Sequence, residues 1–373
     1  MTIFRLFLTL GFTSFGGPAA HLALFHQVFV RERQWLSAQQ YQWLLAWSSA
    51  LPGPSSSQVG LGIGYLRGGL WGALAAWLGF TLPIATLLIA AALGVQQVSS
   101  AGLDAAAQSI QWLIIAVIAK AAWDMVKQQV HQRYQALLLV IGVLAGVFAT
   151  HQLLAVGLVA LGAVLGLQQS GLSLGALPKP RMNIFSALFI AIGLLSFLAG
   201  DQLWAAGYRV GALVIGGGHV ALPWMQNEAA LMQGATTQTF WAGYGLTQAL
   251  PGPMFGFAGY LGALAGGNVL SGVVAVLAVF LPGALLILAI ARMPATQSAG
   301  TQALLNGAVP VAIGLLFSAL ATPLDWAYRA GLDAWLSIAL AGALLAARVP
   351  VPYLVIGFAV LGWVGSAEIV IPA

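Results

Sequence analysis

The sequence predicts an all-α polytopic membrane protein made of two homologous halves, an inverted repeat with Pro/Gly-broken re-entrant helices. Three observations carry that expectation. Of 373 residues, 60% are apolar and only 6% charged, against about 25% charged in a soluble domain. Apolar runs recur along the chain, among them Leu70 to Val95, Leu137 to Phe148, Leu153 to Leu167 and Val273 to Ile290. Several approach the roughly 20 residues that a helix needs to cross a bilayer, and none shows the period-2 alternation of a barrel strand. Finally, Ala50-Leu51-Pro52-Gly53-Pro54 returns unchanged as Ala249-Leu250-Pro251-Gly252-Pro253.

Charge and cysteine content narrow the class. The net charge is +5 and the mean hydropathy +0.94. The thirteen basic residues stand singly or in pairs between apolar runs, the pattern of a topology signal in a lipid bilayer and not of a nucleic-acid surface. With no cysteine, disulfides, thiol chemistry and Cys-type zinc sites are excluded. Met1 to Phe15 imitates a signal peptide, but Phe15-Gly16-Gly17 has a counterpart deep in the chain, so it reads as mature structure.

The repeat orders the elements. At an offset of 199, Ala50–Pro54 falls on Ala249–Pro253 and Leu82-Pro83 on Leu281-Pro282; at 200, Gly11 and Phe15-Gly16-Gly17 fall on Gly211 and Ile215-Gly216-Gly217. Landmarks in one order and spacing define a duplication. The first repeat occupies 1–168. It opens with segment 3–30, broken at Gly16-Gly17-Pro18, and segment 38–66, broken at Pro52-Gly53-Pro54. Spans near 69–95, 103–127, 133–149 and 151–168 complete it. Residues 169–200 hold a Gly/Ser/Pro-bearing linker and an unpaired helix near 184–200. The second repeat, 201–373, runs through 203–232, broken at Gly216-Gly217-Gly218, and 237–266, broken at Pro251-Gly252-Pro253, then spans near 269–292, 300–320, 332–347 and 351–367.

An even number of crossings plus one unpaired helix inserts the second half upside down. If every broken segment re-enters on its own side, Arg5, Arg31, Arg33, Arg67, Lys127, Arg133, Lys179, Arg181, Arg292 and Arg348 share the cytoplasmic face. Arg209 and Arg329 then face outward, near Asp201, Glu228, Asp325 and Asp333. If the broken segments cross instead, Arg31 and Arg33 move outside, so the positive-inside rule favours re-entrance.

Pro removes a backbone donor and Gly the side chain that restricts φ and ψ. At membrane depth the freed backbone must be buried in protein or line a wet cavity, where broken helices of inverted repeats hold substrate. Helix starts after Pro18, Pro54, Gly218 and Pro253 aim N–H groups and positive dipole ends there, which suits an anion. Ser55, Ser56, Ser57 and Gln58 offer hydroxyl and amide donors behind Pro54, and His21 follows Pro18 by a turn. In the second half His219 follows the glycines and Gln248 precedes Pro251, while Met254 and Phe255 replace serines. The plainer readings stay open beside these: helix kinks, serines bonded to their own backbone, and histidines that bond structurally rather than carry protons. Lys120 and Asp124, four apart inside a span, read as mutual neutralisation or a proton path. Arg31, Arg33 and Arg67 read as topology determinants or anion attractors.

Phe15-Gly16-Gly17-Pro18 with His21, Arg33 with Trp35-Leu36, Leu51-Pro52-Gly53-Pro54 with Gln58, and Gly79-Phe80 before Leu82-Pro83 together resemble the chromate ion transporter family. The second half agrees through Gly216-Gly217-Gly218-His219-Val220, Leu222-Pro223, Glu228, Gly243-Tyr244, Gln248 and Tyr260-Leu261-Gly262. The resemblance is to the long, two-domain members and covers nearly the whole chain. It implies halves of opposite orientation in the bacterial inner (plasma) membrane, and chromate export driven by the proton gradient or membrane potential, hence chromate resistance. Ser49 departs from it, standing where Gln is expected by analogy with Gln248. Sulfate, a tetrahedral dianion of similar size, is not distinguished from chromate by any residue.

Two rival classes are weighed against a carrier. Gly171-Leu172-Ser173-Leu174-Gly175 fits a nucleophile pattern, but it lies in the linker with no strand before it and no His as base. No His-Glu zinc pattern, ligand-spaced His pair or phosphate-binding loop is present, so neither a metal nor a cofactor is expected. A passive anion channel would use the same inverted repeat. Ionisable Glu228, His21 and His219 near the breaks are the candidates for coupling, and a homo-oligomer is compatible with the sequence.

Overall fold

The computed structural model of the chain describes residues 2–95, 101–148, 152–172, 182–214, 218–290 and 299–368. All regular structure among them is helical. The first half runs through α1 (Ile3–Thr13), α2 (Gly17–Phe25) continued as a π-helix His26–Glu32, α3 (Ala38–Ala50), α4 (Ser55–Val95), α5 (Ala101–Gln129), α6 (Arg133–Phe148) and α7 (Gln152–Gln169). Helix α8 (Ile184–Leu198) stands between the halves. The second half runs through α9 (Leu203–Leu213), a 3-10 turn Gly218–Val220, α10 (Ala221–Asn227), α11 (Ala229–Met232), α12 (Thr237–Ala249), a 3-10 turn Met254–Gly256 and α13 (Phe257–Gly266). Then come α14 (Val269–Ile290), α15 (Ala299–Ser318), α16 (Ala321–Ala330), α17 (Leu332–Ala346) and α18 (Val351–Glu368).

Helix ends are fixed locally, and alike in both halves. Ser37 and Gln40 form a reciprocal capping box at the start of α3, and Thr236 caps α12 at the equivalent place; such caps satisfy otherwise orphaned N–H groups. The long α4 breaks at Gly68-Gly69, where Gly69 has φ +61°. Gly267, φ +65°, separates α13 from α14 at the corresponding point. Both glycines adopt a left-handed conformation that a side chain would disfavour.

The broken segments fold back on themselves. Phe7 of α1 lies against Phe25 and Phe29 beyond the Gly16-Gly17 break, and a side chain at Gly62 would meet Leu44 across the Pro52–Pro54 break. In the second half Gly243 faces Tyr260 across the Pro251–Pro253 break in the same way. The hairpin ends meet too: Trp35 stacks near Phe29 and under the Arg67 guanidinium at 5.3 Å, and Ile3 sits beside Gly68 and Gly72. Each arm therefore returns to the end it left.

The halves are interlocked. Helix α5 packs on α17 and α18, while its counterpart α15 packs on α6 and α7, a reciprocal exchange of the kind a two-fold relation produces. Small residues permit it: a Cβ at Gly307 of α15 would overlap the Gly162 carbonyl of α7, and Gly142 of α6 faces Gly314, the close backbone approach typical of membrane helix pairs. Outward lie large apolar side chains such as Trp71, Phe148, Leu198 and Leu270, which a hydrocarbon surround accommodates and water would not. Segments Ser55–Val95, Asp104–Gln129, Val269–Ile290 and Gln302–Ala330 are long and apolar enough to cross a membrane.

Three details differ from expectation. Segment 3–30 ends in a π-helix rather than plain α-helix. Segment 203–232 breaks a second time, at Glu228, whose extended backbone separates α10 from α11. The span expected at 300–320 is followed by α16, on whose exposed surface Arg329 pairs with Asp325 at 2.9 Å. Ser173, Lys179, Arg181, Gly216, Gly217 and Arg292 lie outside the described residues.

Candidate functional site

The breaks of the two halves are bonded to one another. Gly53, φ +120°, donates its N–H to the Val214 carbonyl (2.8 Å), and Gly252, φ +115°, donates to the Ser14 carbonyl (3.0 Å). Ser14 and Val214 occupy equivalent places just ahead of their own glycine breaks, so each Pro-Gly-Pro loop closes on the other half. Both loops also approach the long helices beside their internal prolines, at Gly283 next to Pro282 of α14 and at Ile84 next to Pro83 of α4. A Cβ on Gly53 would stand 2.8 Å from Gly283 Cα, and one on Gly252 3.0 Å from Ile84 Cγ2. Buried Gly53, Pro54, Pro251, Gly252 and Pro253 thus form the centre, with Pro52 half-buried beside them.

The first half contributes the polar lining. His21 is 1% exposed; its Nε2 lies 3.1 Å from the Ser14 carbonyl and its Nδ1 3.3 Å from Ser56 Oγ. A carbonyl only accepts, so Nε2 carries the hydrogen, and in the neutral ring Nδ1 accepts from the Ser56 hydroxyl. The Ser14 carbonyl therefore joins His21, its own break and Gly252. Gln58 donates to the Pro52 carbonyl (2.8 Å) and the Gly283 carbonyl (3.3 Å). Its donors are spent on closing the loop, contrary to the role of free amide expected for it. What remains without a partner is buried Gln58 Oε1, together with Ser14 Oγ and Ser57 Oγ. Such orphaned buried groups cost about 1–3 kcal/mol each when empty, and hydroxyls can donate to a guest. Ser55 opens α4 half-buried, and the amides of Ser55, Ser56 and Ser57 precede the first intrahelical bond, Gln58 N–H to the Pro54 carbonyl.

The second half lines the same place with Met254, Phe255 and Phe257, all buried. Its polar groups lie elsewhere: His219 Nδ1 meets the Tyr244 hydroxyl at 2.5 Å, and Gln248 reaches the same hydroxyl and Met254 Sδ. Tyr244 was visible in the sequence only as part of Gly243-Tyr244. Gly16, the N-cap, and Gly17, both with positive φ, turn the chain into α2 ahead of Pro18, and Gly218 opens the second-half 3-10 turn.

The charged candidates do not gather there. Glu228 and Arg209 form a buried pair, Arg209 Nε to Glu228 Oε1 at 2.9 Å and a second contact at 2.5 Å, and Arg209 also donates to the Ser196 and Gly200 carbonyls. Arg209 is 7% exposed, so it is held inside the protein beside Glu228 and not on its surface. The pair ties α9 and the α10–α11 junction to the end of α8. Sequence offered a signal for it: positions on opposite arms of a hairpin meet. Lys120 and Asp124 bond each other on the exposed side of α5, Arg67 covers Trp35, and Arg31 and Arg33 stand exposed at the hairpin end. Ser49 bonds its own helix at Leu45.

A helical membrane protein of two halves, with paired broken helices meeting at its centre, has the architecture of a transporter. The profile of the chromate transporter family matches residues 1–167 and 202–363, and the chain belongs to that family. It is 29% identical to a chromate transport protein of Pseudomonas aeruginosa over 84% of this chain and 78% of that one. A chromate transport protein of Cupriavidus metallidurans is 28% identical over 74% of this chain and 70% of its own length. An uncharacterized transporter of Methanocaldococcus jannaschii is 24% identical over 77% and 75%. No solved structure matches the chain.

Proposed function

We propose that the protein is a secondary active transporter that exports chromate across the bacterial inner membrane, driven by the proton gradient or the membrane potential, and thereby confers chromate resistance. The observation that carries this reading is the centre itself. Breaks from both halves meet inside the protein, and hydroxyls of Ser14 and Ser57 are buried there without partners. Helix starts behind Pro18, Pro54, Gly218 and Pro253 direct N–H groups toward a tetrahedral oxyanion, with Ser55, Ser56 and Ser57 as side-chain donors and His21 holding Ser56 in place. Four crossings per half plus α8 make the repeat inverted, with residues 1–168 and 201–373 as its copies and 169–200 as the connection. The names of the relatives from Pseudomonas and Cupriavidus support chromate as the ion.

The test is chromate uptake by energised inside-out vesicles containing the protein, with and without a protonophore, and with sulfate as competitor. Accumulation abolished by the protonophore is the expected result. Uptake that only equilibrates with the membrane potential would instead mark a channel, and competition by equimolar sulfate would broaden the substrate to tetrahedral dianions.

A further inference from the structure

A cavity of about 900 Å³ opens between the second arm of the first hairpin and α3. One wall is Ala19, Leu22 and Ala23 of α2 with His26 at the start of the π-helix, a stripe at i, i+3, i+4 and i+7. The π-helix then carries the stripe on to Arg31, five residues past His26, because i to i+5 is its hydrogen-bond spacing. Tyr41, Gln42 and Leu45 of α3 form the facing wall. The deep end, Ala19, adjoins Pro18 at the central break. The shallow end, Arg31 and Glu32, lies where the hairpin returns, roughly 15–20 Å away at 1.5 Å per residue. Gln27 bonds Glu32 at 2.8 Å across the π turn.

In the second half, five of the equivalent positions are buried. Leu22, Arg31, Tyr41, Gln42 and Leu45 correspond to Leu222, Leu231, Phe240, Trp241 and Tyr244, each at most 1% exposed. Ala19 corresponds to His219, whose bond to Tyr244 ties the two walls together. The first cleft is open, and in the second half large side chains at these positions are buried and latched.

We infer that the cleft between α2 and α3 is the aqueous route by which a tetrahedral oxyanion reaches the central breaks from the face that bears Arg31, and that the latched counterpart is the closed route to the opposite face. This rests on the inverted, oxyanion-carrying reading above. Arg31 at the mouth raises the local concentration of anions, while the small Ala19 and Ala23 leave the passage clear. Exchange of the two cleft conformations between halves would then give alternating access.

The chain has no cysteine, so single thiols report directly. Ala19→Cys and Ala23→Cys would be treated with an anionic, membrane-impermeant methanethiosulfonate in vesicles of each orientation. Core Ala258→Cys and outward-facing Leu194→Cys serve as references, and dodecyl sulfate denaturation sets full labelling for every variant. Both cleft thiols are expected to react at least tenfold faster than either reference, from one face only. Arg31→Gln should slow the anionic reagent several-fold and not a cationic one. Tyr244→Phe should make Leu222→Cys reactive from the other face. Cleft thiols as slow as Leu194→Cys would mean a lipid-filled cleft, and equal reaction from both faces an open channel; either result overturns the inference. Because labelling needs no transport, failure of chromate accumulation would remove the substrate and leave the route standing.

Discussion

The two halves share a backbone plan and differ in what they put on it. Behind Pro54 come Ser55, Ser56, Ser57 and Gln58; behind Pro253 come Met254, Phe255, Gly256 and Phe257. The first half has an open cleft beside its break, and the second has Trp241 and Tyr244 in that position. Conversely, the second half stakes its hairpin with a buried ion pair, Arg209 to Glu228, where the equivalent positions of the first are the uncharged Thr9 and Val28. Duplicated geometry has been kept where the backbones meet, at Gly53 and Gly252, and released where side chains face a guest.

The largest effect expected from that division is at the loops. Gly53→Val and Gly252→Val should both abolish transport without preventing insertion, since positive φ disfavours any side chain. The alanine variants should separate them. A Cβ on Gly53 would stand 2.8 Å from a backbone atom of Gly283, whereas one on Gly252 would meet Ile84 Cγ2 and Cβ at 3.0 and 3.1 Å, so Gly53→Ala should retain less chromate flux. Equal losses would show the loops to be equivalent after all. Next comes Glu228→Ala, which leaves Arg209 buried without its partner. It should cost about 3–5 kcal/mol, read as a lower Tm in detergent, while the double change Arg209→Leu with Glu228→Leu, which removes both charges together, should recover most of it. If Glu228→Gln also abolishes the pH dependence of transport, the pair has a coupling role that the first half lacks.

Smaller again is Ser57→Ala, which removes one unpartnered hydroxyl. A bond of about 1 kcal/mol corresponds to several-fold in KM for chromate, whereas Met254→Leu in the second half should leave KM unchanged. A reversed pattern would put the donor surface in the wrong half. The smallest effect belongs to Lys120 and Asp124. Their exposed i, i+4 pair is worth about 0.3–0.5 kcal/mol, so Lys120→Gln with Asp124→Asn should leave transport within twofold.

Much of this division was legible in the sequence, because breaks are written in Pro and Gly and the duplication makes each landmark appear twice. The serines behind Pro54 and their loss behind Pro253 were equally plain. What escaped was tertiary. Nothing in His26-Gln27-Val28-Phe29-Val30-Arg31-Glu32 announces a π-helix, since its stability comes from packing Phe29 on Phe7 and Trp35 rather than from propensity. Nor does the spacing of Gln58 reveal that its amide closes on Pro52 and Gly283, a contact between residues 225 positions apart. The positive-inside pattern that placed Arg209 on the outer face says nothing of its burial; it is buried because Glu228, the Ser196 carbonyl of α8 and the Gly200 carbonyl just beyond it receive it.

The exchange of limbs, with α5 on α17 and α18 and α15 on α6 and α7, sets the order in which the protein can be made. Synthesis proceeds at about 5–20 residues per second, so α6 and α7 wait on the order of ten seconds or more in the bilayer before α15 emerges to cover their glycine faces. The first half cannot mature by itself during that interval. A chain cut within residues 173–181 would have to be rejoined by association of its two pieces, and co-expressed fragments should recover transport that neither has alone.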